Sequence, residues 1–340
     1  MDRKLYKMID SLLDTILDRT VLAGYTNVGY RLRKHMWSAE DLRDMGGKVV
    51  LVTGATSGLG LASAKGFAQL GASVRVLVRS EQRGERARAE IVQRSGNDDV
   101  SVCVCDLSDL KAVRKFAARF TAADSRLDVL VNNAGALTSE RTLSPEGIEL
   151  TFATNVLGPF LLTNLLVPLL AKSAPARIIN VSSGGMYTQR IHVEDVQMAN
   201  EKFDGAVAYA RAKRAQVILT ELWAERLQGA GVVVHAMHPG WADTPGVEVS
   251  LPRFYKVTRP LLRTPEQGAD TIVWLGAASE PERSSGGFWH DRRQRPTHLL
   301  PWTRETAADR NRLWAECERL GGWQDAAMPA TAHSNPKGES

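Results

Sequence analysis

The chain has 340 residues, of which 44% are hydrophobic and 24% are charged, and its formal net charge at pH 7 is +5. This length and apolar content suit one large globular domain with extensions. The basic residues are spread along the chain, which disfavours a nucleic-acid partner. The three cysteines are too few for a disulfide framework and the N-terminus MDRKLYK has no apolar leader segment, so we expect a cytoplasmic protein.

Residues 1–46 precede the first predicted strand and form an N-terminal extension. Apolar residues recur there at helical spacing and predict an amphipathic helix. They are Leu5, Met8, Ile9, Leu12, Leu13 and Ile16. Such a stripe is typical of a helix that packs on its own domain or on a partner. Weak contact with a membrane surface through residues 5–16 is the alternative, although Asp10, Asp14 and Asp18 make the polar face less basic than an anionic membrane favours.

Strand and helix patterns alternate from Lys48 onward, which predicts βαβ units. The predicted strands are Val49–Thr53, Ser73–Val78, Val100–Val104, Asp128–Asn132, Arg177–Ser182, Val232–Met237 and Gly287–His290. Right-handed crossovers then give an α/β fold, a Rossmann-type doubly wound parallel sheet of about seven strands with helices on both faces. We assign 47–300 to this single domain, 301–324 to a C-terminal helical extension and 325–340 to a disordered tail of small and polar residues.

Two helix starts are indicated by a capping hydroxyl followed by proline, at Ser144-Pro145 and at Thr264-Pro265. The second also fits a capping box with Gln267, which predicts a helix to about Ala278. The irregular segment 243–263 precedes this helix, and we expect a substrate lid there. The most hydrophobic stretch, Val156 to Ala171, is interrupted by prolines and is shorter than a bilayer span, so it predicts a buried helix beside the sheet.

The sequence KVVLVTGATSGLG, Lys48 to Gly60, indicates a strand, a glycine turn and the start of a helix. Glycines let a backbone approach a pyrophosphate, and a helix N-terminus directs unpaired N–H groups toward it. The glycines Gly54, Gly58 and Gly60 follow the spacing Gly-x-x-x-Gly-x-Gly rather than the commoner Gly-x-Gly-x-x-Gly. The turn therefore predicts a dinucleotide site, with an ordinary βα turn as the alternative.

Tyr209 and Lys213 lie four residues apart and share one face of a predicted helix. An ammonium beside a phenol favours the phenolate, so a group that titrates near about 10 becomes usable as an acid or base closer to neutrality. Many solvated helix faces carry this pair, so the spacing alone is weak evidence.

These segments together resemble the short-chain dehydrogenase/reductase family. The matching segments, in order, are Thr53–Gly60, Asn132–Gly135, the set Asn155, Ser183, Tyr209 and Lys213, and Pro239-Gly240 with Thr244. The resemblance covers roughly Gly47 to Ala278. It implies an NAD(P)-dependent oxidoreductase that transfers hydride between the nicotinamide and a carbonyl or alcohol substrate. It leaves the oligomeric state open, and a homo-oligomer that pairs through the helix carrying Tyr209 is one arrangement.

The resemblance implies a role for each catalytic residue. Tyr209 is the general acid or base, and Lys213 lowers the pKa of that tyrosine and binds the nicotinamide ribose. Ser183, rather than Ser182, donates a hydrogen bond to the substrate oxygen. The backbone carbonyl of Asn155 holds a water that links the lysine to solvent. Pro159, four residues on, has no N–H to donate to that carbonyl, so the sequence agrees with a free carbonyl or with a simple helix kink.

The resemblance also implies which residues contact the cofactor. They are Thr53, Gly54, Ser57, Gly58, Leu59, Gly60, Arg79, Asp106, Leu107, Asn133, Ala134, Gly135, Tyr209, Lys213, Pro239, Gly240 and Thr244. The second strand ends in Arg79 where NAD-specific relatives carry an acid. Because a guanidinium pairs with a 2′-phosphate, with Arg83 assisting, we expect NADP(H) to be favoured over NAD(H). A solvent-exposed strand end with dual cofactor use is the alternative.

Twenty-five residues separate Ser183 from Tyr209, and this long spacing resembles a subgroup that includes retinol dehydrogenases. Tyr187 and Phe203, within the spacer, are interpreted either as the lining of an apolar substrate channel or as packing residues. The segment Met237–Val247 and the C-terminal part narrow the resemblance to one further subgroup. Two alternatives remain, a non-catalytic dinucleotide-binding sensor and a membrane-surface reductase of lipids or retinoids.

His290, Asp291 and His298 invite a metal-site interpretation, but their spacing fits no compact zinc pattern. We therefore predict no metal. We expect these residues to fix the C-terminal extension over the substrate entrance, with Asp291 paired to Arg292.

Overall fold

The computed structural model describes Asp14 and residues 24–37, 41–244 and 252–324. The stripe from Leu5 to Ile16 and the tail 325–340 lie outside the described residues, apart from Asp14, so the predictions made for them stay predictions. The same holds for positions 245–251 of the proposed lid.

Eight strands form one sheet in the described residues, in the order β3-β2-β1-β4-β5-β6-β7-β8. They are β1 (Val49–Thr53), β2 (Ser73–Val78), β3 (Val100–Val104), β4 (Val129–Asn132), β5 (Ala176–Val181), β6 (Val232–Met237), β7 (Phe288–His290) and β8 (Arg293–Arg295). All neighbours pair in parallel except β7 and β8. The predicted doubly wound parallel sheet is thus confirmed, and the antiparallel edge strand β8 was not predicted.

The helices cover both faces of the sheet. They are α1 (Asn27–Lys34), α2 (Gly58–Gln69), α3 (Glu81–Ser95), α4 (Leu110–Ala123), α5 (Gly158–Lys172), α6 (Gly205–Arg226), α7 (Pro252–Thr258), α8 (Pro265–Ala277) and α9 (Ala307–Gly321). One apolar core joins the sheet to α4, α5, α6 and α9. The other joins it to α2, α3 and α8. This layering buries the strands on both faces and leaves the carboxyl ends of the strands open to ligands.

One of the two predicted helix starts is present. The Thr264 hydroxyl accepts a hydrogen bond from the Gln267 N–H, and the Gln267 side chain accepts one from the Thr264 N–H, which completes the capping box of α8. The start at Ser144-Pro145 is wrong. Gly147 there has a φ of +77°, which breaks the helix, and the Glu149 carboxylate instead caps the short helical turn Leu150–Phe152.

The hydrophobic stretch before β5 is a core helix. The helical run Leu150–Lys172 is long and apolar enough to cross a membrane by composition, but 89% of its most apolar window is buried inside the protein. It includes a π-helical turn, Ala153–Leu157, just ahead of Pro159. This turn packs against α6, where Gln216 donates a hydrogen bond to the carbonyl of Asn155.

The segment carrying α1 is joined to the C-terminal strands by buried charges. Arg33 donates hydrogen bonds to Asp14 and to Asp291, at 2.7 Å each. Asp14 also pairs with Arg295 of β8. The predicted pairing of Asp291 with Arg292 is wrong, because consecutive side chains diverge at this bend, where both residues have positive φ. Arg292 pairs instead with Asp270 of α8.

Candidate active site

A cavity of about 730 Å³ opens at the carboxyl ends of strands β1 to β6. The predicted site residues that line it are Gly54, Ser57, Gly58, Leu59, Gly60, Arg79, Asp106, Leu107, Asn133, Ala134, Gly135, Ser183, Tyr209, Lys213, Pro239, Gly240 and Thr244. Two predicted residues, Thr53 and Asn155, lie behind its wall. Residues from every one of the matching sequence segments therefore meet in one place, with the glycine turn at one end and Tyr209 beyond it.

The glycine turn is closely packed. Gly54 and Gly58 have φ values of +69° and +54°, a region that favours glycine. A Cβ on Gly60 would lie 2.4 Å from the carbonyl oxygen of Gly54 and 2.5 Å from Asn133 Nδ2. The backbone N–H groups at the start of α2 consequently line the cavity without side chains in front of them. This arrangement fits a dinucleotide pyrophosphate.

Thr53 supports the turn from behind and is not among the residues that line the cavity, so its predicted contact with a cofactor stays a prediction. Its hydroxyl accepts hydrogen bonds from the N–H groups of Asn133 and Ala134, at 2.9 Å each, and donates one to the carbonyl of Val131. Asn133 Nδ2 in turn donates to the Thr53 carbonyl at 2.8 Å. Thr53 therefore fixes the segment after β4 against the end of β1.

The outer end of the cavity, after β2, is basic. Arg79, Ser80 and Arg83 line it, and Asp106 is the acidic side chain among its described lining residues. The Asp106 carboxylate is already bound within its own turn, since it accepts hydrogen bonds from the N–H and hydroxyl of Ser108. The charge offered to a ligand at this end is therefore positive.

The two serines after β5 have different surroundings. The Ser182 hydroxyl donates a buried hydrogen bond to the Lys213 carbonyl at 2.8 Å. The Ser183 hydroxyl accepts one from the Gly185 N–H at 3.2 Å and hydrogen-bonds Tyr209. Ser183 thus presents its hydroxyl beside the phenol, so that one oxygen of a ligand can accept hydrogen bonds from both groups.

Burial dominates the titration of the Tyr209 and Lys213 pair. Burial raises the pKa of Tyr209 to about 12, and the hydrogen bond with Ser183 acts to lower it. Burial lowers the pKa of Lys213 to about 7. The expected lowering of the tyrosine pKa by the ammonium is not present, because Lys213 Nζ lies 5.4 Å from the centre of the Tyr209 ring and donates elsewhere.

The carbonyl of Asn155 is not free of protein partners, and the water expected on it stays a prediction. The carbonyl accepts a hydrogen bond from Gln216 Nε2 at 2.7 Å. The Gln216 Oε1 accepts one from Lys213 Nζ at 3.0 Å. The Asn155 side chain meanwhile bonds both backbone groups of Ala136. Gln216 was not predicted as a site residue, although it lies seven residues after Tyr209 on the same helix face.

The space beyond Tyr209 is neutral. Its described lining is formed by Ala136, Leu137, Gly185, Thr188, Ala206, Ala210 and Trp241. Tyr187 does not line it, since the phenol donates to the Pro296 carbonyl and the ring packs against Phe288. Of the two interpretations of Tyr187, packing is the one observed, and Phe203 is likewise not part of the lining.

The cavity wall at Trp241 is fixed by the segment before α1. The Trp241 N–H donates to the Tyr25 carbonyl at 2.8 Å, and the Tyr25 ring packs against His238. A Cβ on Gly184, next to Ser183, would lie 2.8 Å from the same ring. Sequence patterns gave no signal for these contacts because they join residues far apart in the chain.

Comparison with known proteins agrees with this geometry. A family model for short chain dehydrogenases matches residues 48–252. Dehydrogenase/reductase SDR family member 12 from Bos taurus is 41% identical over 304 residues, which are 88% of this chain and 94% of that protein. Retinol dehydrogenase 11 from Homo sapiens is 38% identical over 282 residues, which are 81% of this chain and 86% of that protein.

Solved structures show the same fold. An uncharacterised protein from Mycobacterium paratuberculosis superposes with a TM-score of 0.68 at 30% identity, over 86% of this chain and 99% of that chain. A structure from Beutenbergia cavernae, described as an NAD(P)-dependent gluconate 5-dehydrogenase with bound NADP, superposes with a TM-score of 0.60 at 26% identity. The second match covers 73% of this chain and 96% of that chain.

The chain belongs to the short-chain dehydrogenase/reductase family. It is accordingly an NAD(P)-dependent oxidoreductase that acts on CH–OH and C=O groups. The narrower subgroup indicated by the C-terminal segments is that of dehydrogenase/reductase SDR family member 12, and the 41% identity confirms this resemblance.

Proposed function

We propose that this enzyme reduces apolar aldehydes or ketones with NADPH, or oxidises the corresponding alcohols with NADP⁺, and that Tyr209 is its general acid and base. The observation that carries the proposal is the shared cavity, which joins the glycine turn to Tyr209 and Ser183. A nicotinamide cofactor supplies or accepts the hydride. Tyr209 donates a proton to the developing alkoxide in reduction and removes it in oxidation.

The preference for NADP(H) rests on charge. Arg79 and Arg83 line the outer end of the cavity, where a 2′-phosphate adds negative charge and offers acceptors for a guanidinium. The Asp106 carboxylate nearby is occupied by Ser108. NADP bound in the Beutenbergia cavernae structure shows that the fold accommodates this cofactor.

Two side chains assist the chemistry in this proposal. Ser183 donates a hydrogen bond to the substrate oxygen and holds it within reach of the Tyr209 proton. Lys213 lines the cavity next to Tyr209, and its ammonium binds the ribose hydroxyls of the cofactor.

An apolar substrate, including retinoid-like alcohols and aldehydes, is favoured by the substrate side of the cavity. Its described lining carries no charged side chain beyond Lys213, and Leu137 and Trp241 offer apolar surface. Relatives named as retinol dehydrogenases are 35–38% identical. Segment 243–263, which follows this wall, is proposed as the substrate lid. Flotation with liposomes, with and without residues 1–46, tests whether the enzyme works at a membrane surface.

The proposal is tested by titrating the protein with NADPH and NADH while nicotinamide fluorescence is followed, and then by adding a graded series of carbonyl compounds. We expect tighter binding of NADPH and oxidation of it by long-chain or isoprenoid aldehydes in preference to sugar ketones. Equal binding of both nucleotides would refute the cofactor preference. Faster turnover of polar ketones would refute the substrate class.

A further inference from the structure

Gln216 joins two residues of the active site at the back of the cavity. Its Oε1 accepts a hydrogen bond from Lys213 Nζ at 3.0 Å, and its Nε2 donates one to the Asn155 carbonyl at 2.7 Å. All three residues are at most 3% exposed. A second acceptor, the Val181 carbonyl, lies 2.8 Å from Lys213 Nζ.

The orientation of the Gln216 amide follows from its neighbours. A backbone carbonyl only accepts hydrogen bonds and an ammonium only donates them. The NH₂ group of Gln216 must therefore face Asn155, and its oxygen must face Lys213. The π-helical turn Ala153–Leu157 places the Asn155 carbonyl within reach of α6, and Pro159 supplies no competing donor to it.

The surroundings of the Lys213 ammonium are otherwise neutral. The β5 strand offers the Val181 carbonyl, the π-helical turn offers Asn155, and the segment after β4 offers Gly135, whose built Cβ lies 3.7 Å from Nζ. Tyr209 faces it from the same helix. Burial is the cause that lowers the pKa of Lys213, with no contribution from a charged side chain of the described residues.

We propose that Gln216 is a positioning residue of this active site, and that its amide holds the Lys213 ammonium in place by bridging it to the carbonyl of Asn155. This inference rests on the proposed function, because it assigns Gln216 a role through Lys213. An ammonium has three N–H donors. Gln216 and Val181 take two of them, which leaves the third directed toward the cavity that Lys213 lines.

Because the bridging Gln216 amide is uncharged, it does not offset the effect of burial on the pKa of Lys213, and the pH profile of reduction should reflect this. The Lys213 ammonium is lost as pH rises through about 7, so kcat/KM for reduction is expected to fall there. A carboxylate in place of the Gln216 amide would favour the ammonium and move this fall upward by about one to three pH units. An apolar side chain of similar size would remove one acceptor and move the fall to lower pH.

The test compares Gln216→Met, Gln216→Glu, Lys213→Met and the control Thr220→Val in the full-length protein. Thr220 is buried one turn further along α6, where its hydroxyl donates to the Gln216 carbonyl and accepts from Asn180 Nδ2, away from Lys213. For each variant, kcat and kcat/KM for NADPH-dependent reduction are measured across pH, together with the NADPH Kd and the Tm.

We expect the fall in kcat/KM to move to higher pH in Gln216→Glu and to lower pH in Gln216→Met. We also expect a lower kcat in Gln216→Met. Thr220→Val should lower Tm and leave the profile in place. If both Gln216 variants keep the wild-type profile while Lys213→Met is inactive, the positioning role is refuted and the proposed function stands. If Lys213→Met turns over normally, the role of Lys213 in the proposed function fails, and the inference fails with it. If Gln216→Met does not fold, the displacement in Gln216→Glu alone decides the outcome.

Discussion

Arg263 and Asp291 form a bidentate ion pair in which Nη1 lies 2.6 Å from Oδ1 and Nη2 lies 2.8 Å from Oδ2. Both side chains are at most 2% exposed. The same guanidinium donates to the carbonyls of Pro239 and Gly24. One buried arginine therefore connects the loop after β6, which lines the cavity, to the segment before α1 and to the residue that follows β7.

Removing this arginine should destabilise the protein. Arg263→Met leaves the Asp291 carboxylate with one fewer buried partner, and breaking a buried pair in this way costs about 3–5 kcal/mol. The free energy of unfolding in urea measures the effect, and the NADPH Kd should rise because Pro239 loses its support. Arg259→Met, at an exposed arginine nearby, is the control and should change little. A loss in Arg263→Met no larger than in the control would contradict this account of the network.

Lys213 should lower stability at neutral pH. Its folded pKa of about 7 lies below the ordinary value of 10.5, so the unfolded chain binds more protons between those values. The free energy of unfolding therefore rises with pH across that window. Lys213→Met should be more stable than the wild type at pH 7, on the order of 4 kcal/mol, and the difference should shrink toward pH 10.

Urea unfolding of the two proteins at both pH values measures this difference, and Lys172→Met, at an exposed lysine, is the control. A difference that does not depend on pH would show that the buried amine is not the cause.

Arg79 should control the choice of cofactor. Arg79→Asp replaces a guanidinium by a carboxylate at the outer end of the cavity, which repels a 2′-phosphate and accepts from ribose hydroxyls. We expect the Kd for NADPH, divided by the Kd for NADH, to rise by about 10- to 100-fold. Arg86→Asp, on an exposed part of α3, is the control for the change in net charge. An unchanged ratio in Arg79→Asp would mean that the phosphate is bound elsewhere.

The glycine turn should not tolerate a side chain at Gly60. In Gly60→Ala the new Cβ meets the Gly54 carbonyl and Asn133 Nδ2 at 2.4 and 2.5 Å, so the turn must move. We expect NADPH affinity to fall by at least about tenfold, as a loss of 1.4 kcal/mol implies. Gly321→Ala is the control, because its Cβ meets its nearest neighbour, Leu157, at an ordinary 3.5 Å. Fluorescence titration measures both affinities. Equal NADPH affinities in Gly60→Ala and Gly321→Ala would contradict the assignment of this turn to the cofactor.

Most of the sheet was predictable because buried parallel strands are continuous apolar runs bounded by turns. The edge strand β8 was not predicted because Arg293–Arg295 is charged and lacks an apolar pattern. It pairs with β7, and its Arg295 side chain binds Asp14. The helix start at Ser144 failed because the same capping pattern also fits a turn closed by Gly147. Local sequence rules do not distinguish these cases.

The site was predictable to a similar extent. The glycine turn and the Tyr209–Lys213 spacing are local patterns and could be predicted. The structure brings both to the same cavity. The positions of Thr53, Asn155 and Gln216 in the site were not predictable, because they depend on hydrogen bonds to residues far away in the sequence. Asp291 was assigned to its sequence neighbour, whereas its partners Arg33 and Arg263 come from distant segments. Such long-range pairs leave no mark in the spacing of residues.

The most direct test of the central claim is the turnover of Tyr209→Phe with NADPH and an apolar aldehyde, measured beside its NADPH Kd. The change removes one hydroxyl and keeps the ring, so the cavity should keep its shape. The account predicts a loss of kcat/KM of about 100-fold or more, the usual contribution of a general acid, with NADPH binding nearly unchanged. Wild-type turnover by the variant would contradict the account, because the proton would then have to come from another group.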